Sequence, residues 1–531
     1  MITYKVIRTP DGVVIDNSVG QSIKSNDITK LLEYLANQPK PDFKLFWDLD
    51  NSLALLFKDC DMELIERLSR NKKYVFKDGA NNEYAITYNT GKVFGVEVNG
   101  SSNLFYHLKQ FYKGLPQPQD TNDVQEIQKF GVNLMTELRS VGIYPYRLTS
   151  PASFTDQIYS KLKLPTHNDI PEDVCQLAWQ CADRAWTEAH KLGHFPVAYD
   201  YDMRSAYACS VKELLDTRYG DWVHTGKYTG TATYGFYSVR VNIDAKVSPI
   251  SYMDAKNELI HPNGSWKTWL TNLELDFINE YKLGRFTVLD GWEWKPKSVV
   301  KPLQLTVYKM FKDRQKSPLL NKLMKYAMTS LYGLNLQTYT DPVTKETILG
   351  KHFNPIWGAL IEVMAKIKVC KFIYDNDLVK DLILISTDGV LATKQIDTKD
   401  DGLIGSWKLS STSPALAVTS SAVFYADKRP CQLSYNEVME LIKDNPQASE
   451  YKKPVTRRLV LDDLVTGNWN ELGKVVNTET GFYLPVEHDR EFKILPRCGQ
   501  DLLDNTYSSK PLRASKLTKP NLVEEEYEEV I

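Results

Sequence analysis

Hydrophobic and polar positions alternate along the chain in two rhythms, a period near two and a period near three and a half. In Glu83-Tyr-Ala-Ile-Thr-Tyr88 the residues Tyr84, Ile86 and Tyr88 fall on one side, which predicts a strand. An Asn-Thr-Gly turn follows, then Gly91-Lys-Val-Phe-Gly-Val-Glu-Val98, so a hairpin is expected. Lys44-Leu-Phe-Trp-Asp48 reads as a short strand, and Leu115-Pro-Gln-Pro-Gln119 as a linker. Residues 122 to 140 and 171 to 190 have helical spacing. Strand patterns return at Val197-Ala-Tyr-Asp-Tyr-Asp202 and at Gly235-Phe-Tyr-Ser-Val-Arg-Val-Asn242. Gly291-Trp-Glu-Trp-Lys295 reads as a strand end whose tryptophans join the core, although such a cluster could also stack on bases. Two helical runs meet at Lys316-Ser-Pro318, a third opens at Asn354-Pro355, and the apolar run Asp381-Leu-Ile-Leu-Ile-Ser386 leads to Asp388. Tyr339-Thr-Asp-Pro-Val-Thr-Lys345 reads as a short hairpin. Strands and helices in separated blocks predict an α+β multidomain chain.

Length and composition narrow this. At 531 residues the chain exceeds one hydrophobic core, and roughly two to four domains are expected. Its apolar runs are too short to span a bilayer, and its start lacks the pattern of a secretory signal, so no membrane association is expected. Seven cysteines without a C-x-x-C pair argue against structural zinc and against a disulfide framework. They fit a reducing compartment, the cytoplasm. The eight histidines show no ligand spacing. The net charge of −2 gives no hint of nucleic acid, but residues 301 to 330 carry Lys301, Lys309, Lys312, Arg314, Lys316, Lys322 and Lys325 against a single Asp313. Such local density is what phosphate binding needs. Glu524-Glu-Glu-Tyr-Glu-Glu529 reads as a solvated acidic tail.

Three segments carry candidate chemistry. Tyr199-Asp-Tyr-Asp202-Met-Arg-Ser205-Ala-Tyr207 delivers an aspartate from a strand end into a turn and helix. Asp202 and the backbone carbonyl of Met203 could face one divalent cation, with the next amides toward phosphate; equally, Asp202 could only cap the helix. In Ser317-Pro-Leu-Leu-Asn-Lys-Leu-Met-Lys325-Tyr-Ala-Met-Thr329-Ser-Leu-Tyr332-Gly333, Ser317 suits the N-cap and Pro318 the first turn. Lys322, Lys325, Thr329 and Tyr332 then share one face, opposite Leu320, Leu323, Met324, Ala327 and Leu331. That stripe could grip a nucleoside triphosphate or be an ordinary solvated face. In Leu382-Ile-Leu-Ile-Ser386-Thr-Asp388-Gly, Asp388 sits at a hairpin tip, although Asp-Gly is also a common turn pair.

In that order the three segments resemble motifs A, B and C of family B DNA polymerases. Asp202-Met-Arg-Ser-Ala-Tyr207 is similar to D-x-x-S-L-Y, Lys325-x-x-x-Thr-Ser-Leu-Tyr-Gly333 to K-x-x-x-N-S-L-Y-G, and Ser386-Thr-Asp388-Gly to D-T-D-S. Their spacing resembles that of the small protein-primed polymerases of phages and linear plasmids. The resemblance implies a right-hand polymerase with an RNase H-like exonuclease-type domain over 1–125. Palm would cover 126–299, where a terminal-protein-region insertion would fit, and again 336–429. Fingers would cover 300–335, thumb 430–515 and the acidic tail 516–531. It implies Mg2+, with Mn2+ as substitute, held by Asp202, Asp388 and the Met203 carbonyl. Lys325, with Arg314 or Lys312, would neutralise the triphosphate. Ser205, Tyr207 and Tyr332 would complete the nucleotide site, the Tyr207 ring excluding a 2′-hydroxyl. Primer-template DNA and deoxynucleotides are the implied partners, with a terminal protein or other replication proteins beside them.

The departures shape further expectations. Ser386 stands where the family has its first motif C aspartate, Thr329 replaces asparagine and Ala208 replaces proline. The family's K-x-Y falls at Val423-Phe-Tyr425, and its Y-x-G-G near Asp183-Arg-Ala-Trp186. Asp48-Leu-Asp50 resembles the exonuclease D-x-E, but His107 stands at the second motif's aspartate. Asp123 matches the third motif with Gln119 in place of its tyrosine. A hydrolytic site so depleted is expected to be weak or absent. The 339–345 hairpin is short for a strand-displacing insertion. Two alternatives stand beside template-directed polymerisation. One is primer synthesis or untemplated nucleotidyl transfer on the same fold, motivated by Ser386. The other is a non-catalytic DNA-binding relic, motivated by the eroded N-terminal motifs.

Overall fold

A computed structural model describes residues 1–40, 43–182, 185–254, 258–340, 345–428 and 433–517. The acidic tail from 518 onward, Asp183 and the tip of the 339–345 hairpin lie outside them. The chain forms two compact units, each built from three segments: 1–158, 310–327 and 454–479 in the first, and 159–309, 328–453 and 480–531 in the second.

The first unit is organised on an eight-stranded sheet. Ile2–Thr9, Gly12–Asn17 and Ser22–Ser25 form an antiparallel meander at one edge. Lys44–Phe46 lies parallel to Ile2–Thr9 on one side and to Ser101–His107 on the other. Val93–Val98, Glu83–Asn89 and Lys73–Lys77 complete the sheet by antiparallel pairing. The period-two reading of Glu83–Asn89 holds, since Tyr84, Ile86 and Tyr88 are buried and alternate with half-buried or exposed neighbours. Tyr4, Ile15, Phe46, Leu53, Phe94 and Phe105 fill the core, and Leu461, Leu464 and Leu472 of the third segment belong to it. Asp462 fixes that segment by accepting from Lys72 and, at 2.8 Å, from Thr90 Oγ1.

The second unit centres on the long strand Lys191–Met203, flanked by Gly389–Ala392 and Trp407–Ala417, both antiparallel to it. Leu382–Ser386 pairs with Gly389–Ala392, and Thr187–Ala189 closes that edge. Residues 171 to 190 were expected to be one helix; the helix ends at Cys181, and Thr187–Ala189 is a strand. Pairing with Leu384–Ser386 overrides the local period there. A separate four-stranded sheet contains Tyr234–Ile243 and Gly284–Pro296, with Trp294 fully buried. Pro355–Asp375 is apolar nearly all round and runs through the core, with Asn354 capping it at the Trp357 amide, 3.1 Å.

A buried charge network lies beside the strand Thr187–Ala189. Glu188 Oε1 is 2.9 Å from Arg490 Nη1, and its Oε2 is 3.0 Å from His190 Nε2. Arg490 Nε also donates to Ser509 Oγ at 2.8 Å, and Ser509 Oγ donates to the His190 carbonyl at 2.9 Å. Next in sequence, burial and then the Glu188 charge push the Asp489 carboxyl up to about 7 from 3.8. The folded chain therefore keeps a proton that the unfolded chain has released. The stability this confers is present below about pH 4 and is lost as pH rises through about 7. Asp489→Asn is expected to flatten the stability profile between about pH 4 and 7 and to raise stability at neutral pH, read by chemical denaturation across that range.

Candidate active site

Asp202 lies at the end of its strand, in register with Gly389 on one side and Lys408 on the other. The next amide, Met203 N, donates to the Asp388 carbonyl at 3.0 Å. Pairing thus sets the two aspartate-bearing backbones side by side. Asp388 occupies the two-residue turn between Leu382–Ser386 and Gly389–Ala392. Thr387 beside it has φ 56, and its amide donates to the Trp186 carbonyl at 2.7 Å.

Downstream of Asp202, Ser205 takes a left-handed conformation at φ 53 and opens the helix Ala206–Val211. That turn aims Tyr207 at Tyr332, the rings stacked with centroids 4.8 Å apart and planes 12° from parallel. The Tyr332 hydroxyl donates to Glu362 Oε1 on the buried helix. Burial, then the charges of Glu362 and Asp388, push the Tyr207 hydroxyl up to about 12, against the pull of Lys366. Lys366 Nζ in turn lies 3.8 Å from Glu274 Oε1, both buried.

Two lysines attend the aspartates of the central strand. Lys408 Nζ is 3.0 Å from Asp202 Oδ2, with both side chains partly exposed. Lys428 pairs with the buried Asp200 and sits 4.2 Å from the Tyr425 ring centroid. Burial still holds the Asp200 carboxyl above its ordinary range. Arg204 grips Asp400 with two bonds, Nε to Oδ1 at 2.9 Å and Nη2 to Oδ2 at 2.5 Å. The residues at hand fit a divalent cation. The Asp202 and Asp388 carboxylates and the Met203 carbonyl are hard oxygen donors carried on adjacent backbones, and Asp202 already draws the Lys408 ammonium. Among the described residues no group of three or more acidic, His or Cys side chains forms a complete cage. A Mg2+ site of few protein ligands completed by substrate phosphates matches that set.

The structure brings together Asp202, Met203, Ser205, Tyr207, Tyr332 and Asp388 in the second unit. Lys312, Arg314 and Lys325 belong to the first. The helix Pro318–Gly333 forms as read, with Ser317 Oγ accepting from the Leu320 amide at 3.1 Å. Its apolar stripe is buried, and Lys325 and Thr329 are exposed. Lys312 is exposed too, while Arg314 Nε donates to Asn321 Oδ1 at 3.0 Å. Lys322 differs from the expected phosphate grip. Its ammonium donates to the Lys113 carbonyl, and burial, with the Lys113 charge, brings it down to about 8.

In the first unit, Asp48 caps the helix Leu49–Phe57 and lies 2.8 Å from Lys109 Nζ. Burial works to raise its carboxyl, but the bond and charge of Lys109 prevail and hold it low. Asp50 accepts from the Tyr88 hydroxyl at 2.7 Å and the Gly91 amide at 2.9 Å, with His107 Nδ1 3.8 Å away. Asp123 is exposed and caps the helix Val124–Ser140. Lys408, Lys428, Glu362 and Lys366 were not read from sequence. Only Lys428 carried a nearby signal, three residues past Tyr425.

Solved structures match nearly the whole chain. The ternary complex of phi29 DNA polymerase with primer-template DNA and incoming nucleotide substrates aligns at TM-score 0.58 and 13% identity. That alignment covers 91% of this chain and 99% of that one. An orthorhombic crystal form of the same enzyme gives 0.59 and 14%, covering 91% and 100%. The chain has the fold of phi29 DNA polymerase. A binary complex of phi29 DNA polymerase with primer-template DNA aligns equally, at TM-score 0.57. The multidomain α+β architecture expected from sequence is therefore shown, and the fold is the one that the resemblance read from sequence implied. No protein-family model and no curated protein matches the sequence.

A β-branched residue at φ 56 carries a steric cost that glycine does not. Thr387→Gly keeps the amide that bonds to Trp186, so it should raise stability by up to about 1 kcal/mol in thermal denaturation.

Proposed function

We propose that this chain is a template-directed DNA polymerase that extends a primer 3′-hydroxyl, or a protein primer, with deoxynucleotides. The observation that carries this is the register that sets Asp202 beside Asp388 in a chain with the phi29 DNA polymerase fold. Asp202, Asp388 and the Met203 carbonyl would hold the metal ions. Bound Mg2+ supplies Lewis-acid activation of the primer hydroxyl and charge neutralisation on the triphosphate. Asp388 retains its ligand role although Ser386 removes the neighbouring charge. Lys325 is assigned to the triphosphate with Lys312 and Arg314, and Ser205 to the phosphates near the start of its helix. Tyr207, braced by Tyr332, bars a 2′-hydroxyl and so selects deoxynucleotides. The remaining work is positioning, which rigid strands and a buried helix supply.

Palm, fingers and thumb are assigned the boundaries expected from sequence, with replication of a phage or plasmid-type element in the host cytoplasm as the setting and a terminal protein as a candidate partner. The strand order of the first unit, an antiparallel meander followed by parallel strands, supports an RNase H-like, exonuclease-type domain. Its activity is proposed to be weak or absent. Lys109 stands on Asp48, Asp50 is bonded to Tyr88, and His107 is buried where a third carboxylate would serve.

The test is primer extension with a labelled primer, a longer template, four deoxynucleotides and Mg2+. Asp202→Ala and Asp388→Ala are expected to lose on the order of a thousandfold in rate. Lys325→Ala should mainly raise the nucleotide KM, by roughly ten- to a hundredfold. Extension that survives in Asp388→Ala would refute the assignment. Product formed without template would point instead to untemplated transfer, the reading that Ser386 motivates. A 3′-labelled single strand incubated with Mg2+ should stay intact, and Asp48→Ala should not change that. Digestion lost in Asp48→Ala would show that editing survives.

A further inference from the structure

Lys408 stands where the proposed chemistry needs a metal ion. Its backbone is fixed. Trp407 stacks on Phe372 of the buried helix, centroids 4.0 Å apart and planes 17° from parallel. Just before it, the Arg204 amide donates to the Ser406 carbonyl at 2.9 Å, and the Gly405 amide to the Arg204 carbonyl at 2.8 Å. The segment after Asp202 and the start of the strand Trp407–Ala417 are thus tied together, and the register sets Lys408 opposite Asp202. From there the ammonium reaches Asp202 Oδ2 at 3.0 Å.

The neighbouring pair shows what a purely structural pairing looks like on the same strand. Asp200 is buried, with a side chain only 9% exposed, and Lys428 neutralises it under the Tyr425 ring. Asp202 is 39% exposed and Lys408 is 32% exposed, so neither is committed to the core. A lysine ammonium is a compact charge on a flexible stem, and it can retreat into solvent without unmaking a sheet.

We infer that Lys408 is the resident counter-ion of Asp202 and competes with the divalent cation for that carboxylate. The inference rests on the reading of Asp202 as a metal ligand. While the ammonium is in place, the charge of Asp202 is balanced beside Asp388. A divalent cation that takes Oδ2 must displace the ammonium and then endure its repulsion from a few ångströms away. Lys408 therefore sets the concentration at which metal loads.

Mn2+ titrated into the full chain without DNA or nucleotide, with free Mn2+ read by electron paramagnetic resonance, tests this directly. Lys408→Met is expected to bind Mn2+ roughly tenfold more tightly than the parent chain. Lys408→Arg, which keeps the charge, should stay close to the parent affinity. Lys408→Gln repeats the charge removal should the methionine variant fold poorly. Asp202→Asn is the control on the underlying reading. If it abolishes binding while Lys408→Met and Lys408→Gln leave affinity unchanged or weaker, the counter-ion inference is overturned and the metal assignment stands. If Asp202→Asn leaves Mn2+ binding intact, both are overturned.

Discussion

One backbone hydrogen bond, from the Met203 amide to the Asp388 carbonyl, ties two strand ends whose residues are far apart in sequence. The antiparallel register that contains it decides which side chains the proposed site can use. Side chains alternate faces along a strand, so a slip of one residue would send Asp202 to the opposite side of the sheet from its present place. Fully buried neighbours resist that slip: Tyr201 before Asp202, and Ile385 and Val390 on the hairpin that carries Asp388. The carboxylates are placed by the core beneath them.

The edge strand Thr187–Ala189 contributes to the same constraint from behind. The Trp186 carbonyl receives the amide of the left-handed Thr387, and Glu188 next to it is locked to Arg490. Breaking a buried ion pair of this kind leaves an uncompensated charge, which is strongly unfavourable. The turn that presents Asp388 therefore leans on a charge network outside the proposed site. Such support suits the positioning role proposed for the site.

Much of this was legible in the sequence because the decisive elements announce themselves locally. The run Leu382–Ile385 with Asp388-Gly389 behind it, the Ser317-Pro318 cap and the Asn354-Pro355 helix start each depend on neighbours a few residues away. The stack of Tyr207 on Tyr332 fits the joint assignment of those two residues. What escaped were pairings of long reach. Lys408 meets Asp202 across a sheet, and Glu362 meets Tyr332 from another helix. The strand Thr187–Ala189 takes its conformation from a partner almost two hundred residues away, so helical spacing misled there. Lys322 has the right spacing for a phosphate contact, but packing gives its ammonium to a carbonyl. Spacing fixes which side of a helix a residue occupies; it does not say what that side meets.

The first unit is assembled from pieces widely separated along the chain. Leu461, Leu464 and Leu472 belong to the same core as Tyr4 and Phe46, and Asp462 neutralises Lys72. On the ribosome, that core cannot close when residue 158 emerges. It stays short of its last apolar contacts until more than three hundred further residues have been made, an interval of tens of seconds at ordinary elongation rates. During that time the apolar face that those leucines cover is open to wrong partners. Synthesis speed and chaperone supply, as much as the final contacts, then govern how much of this protein reaches its finished form.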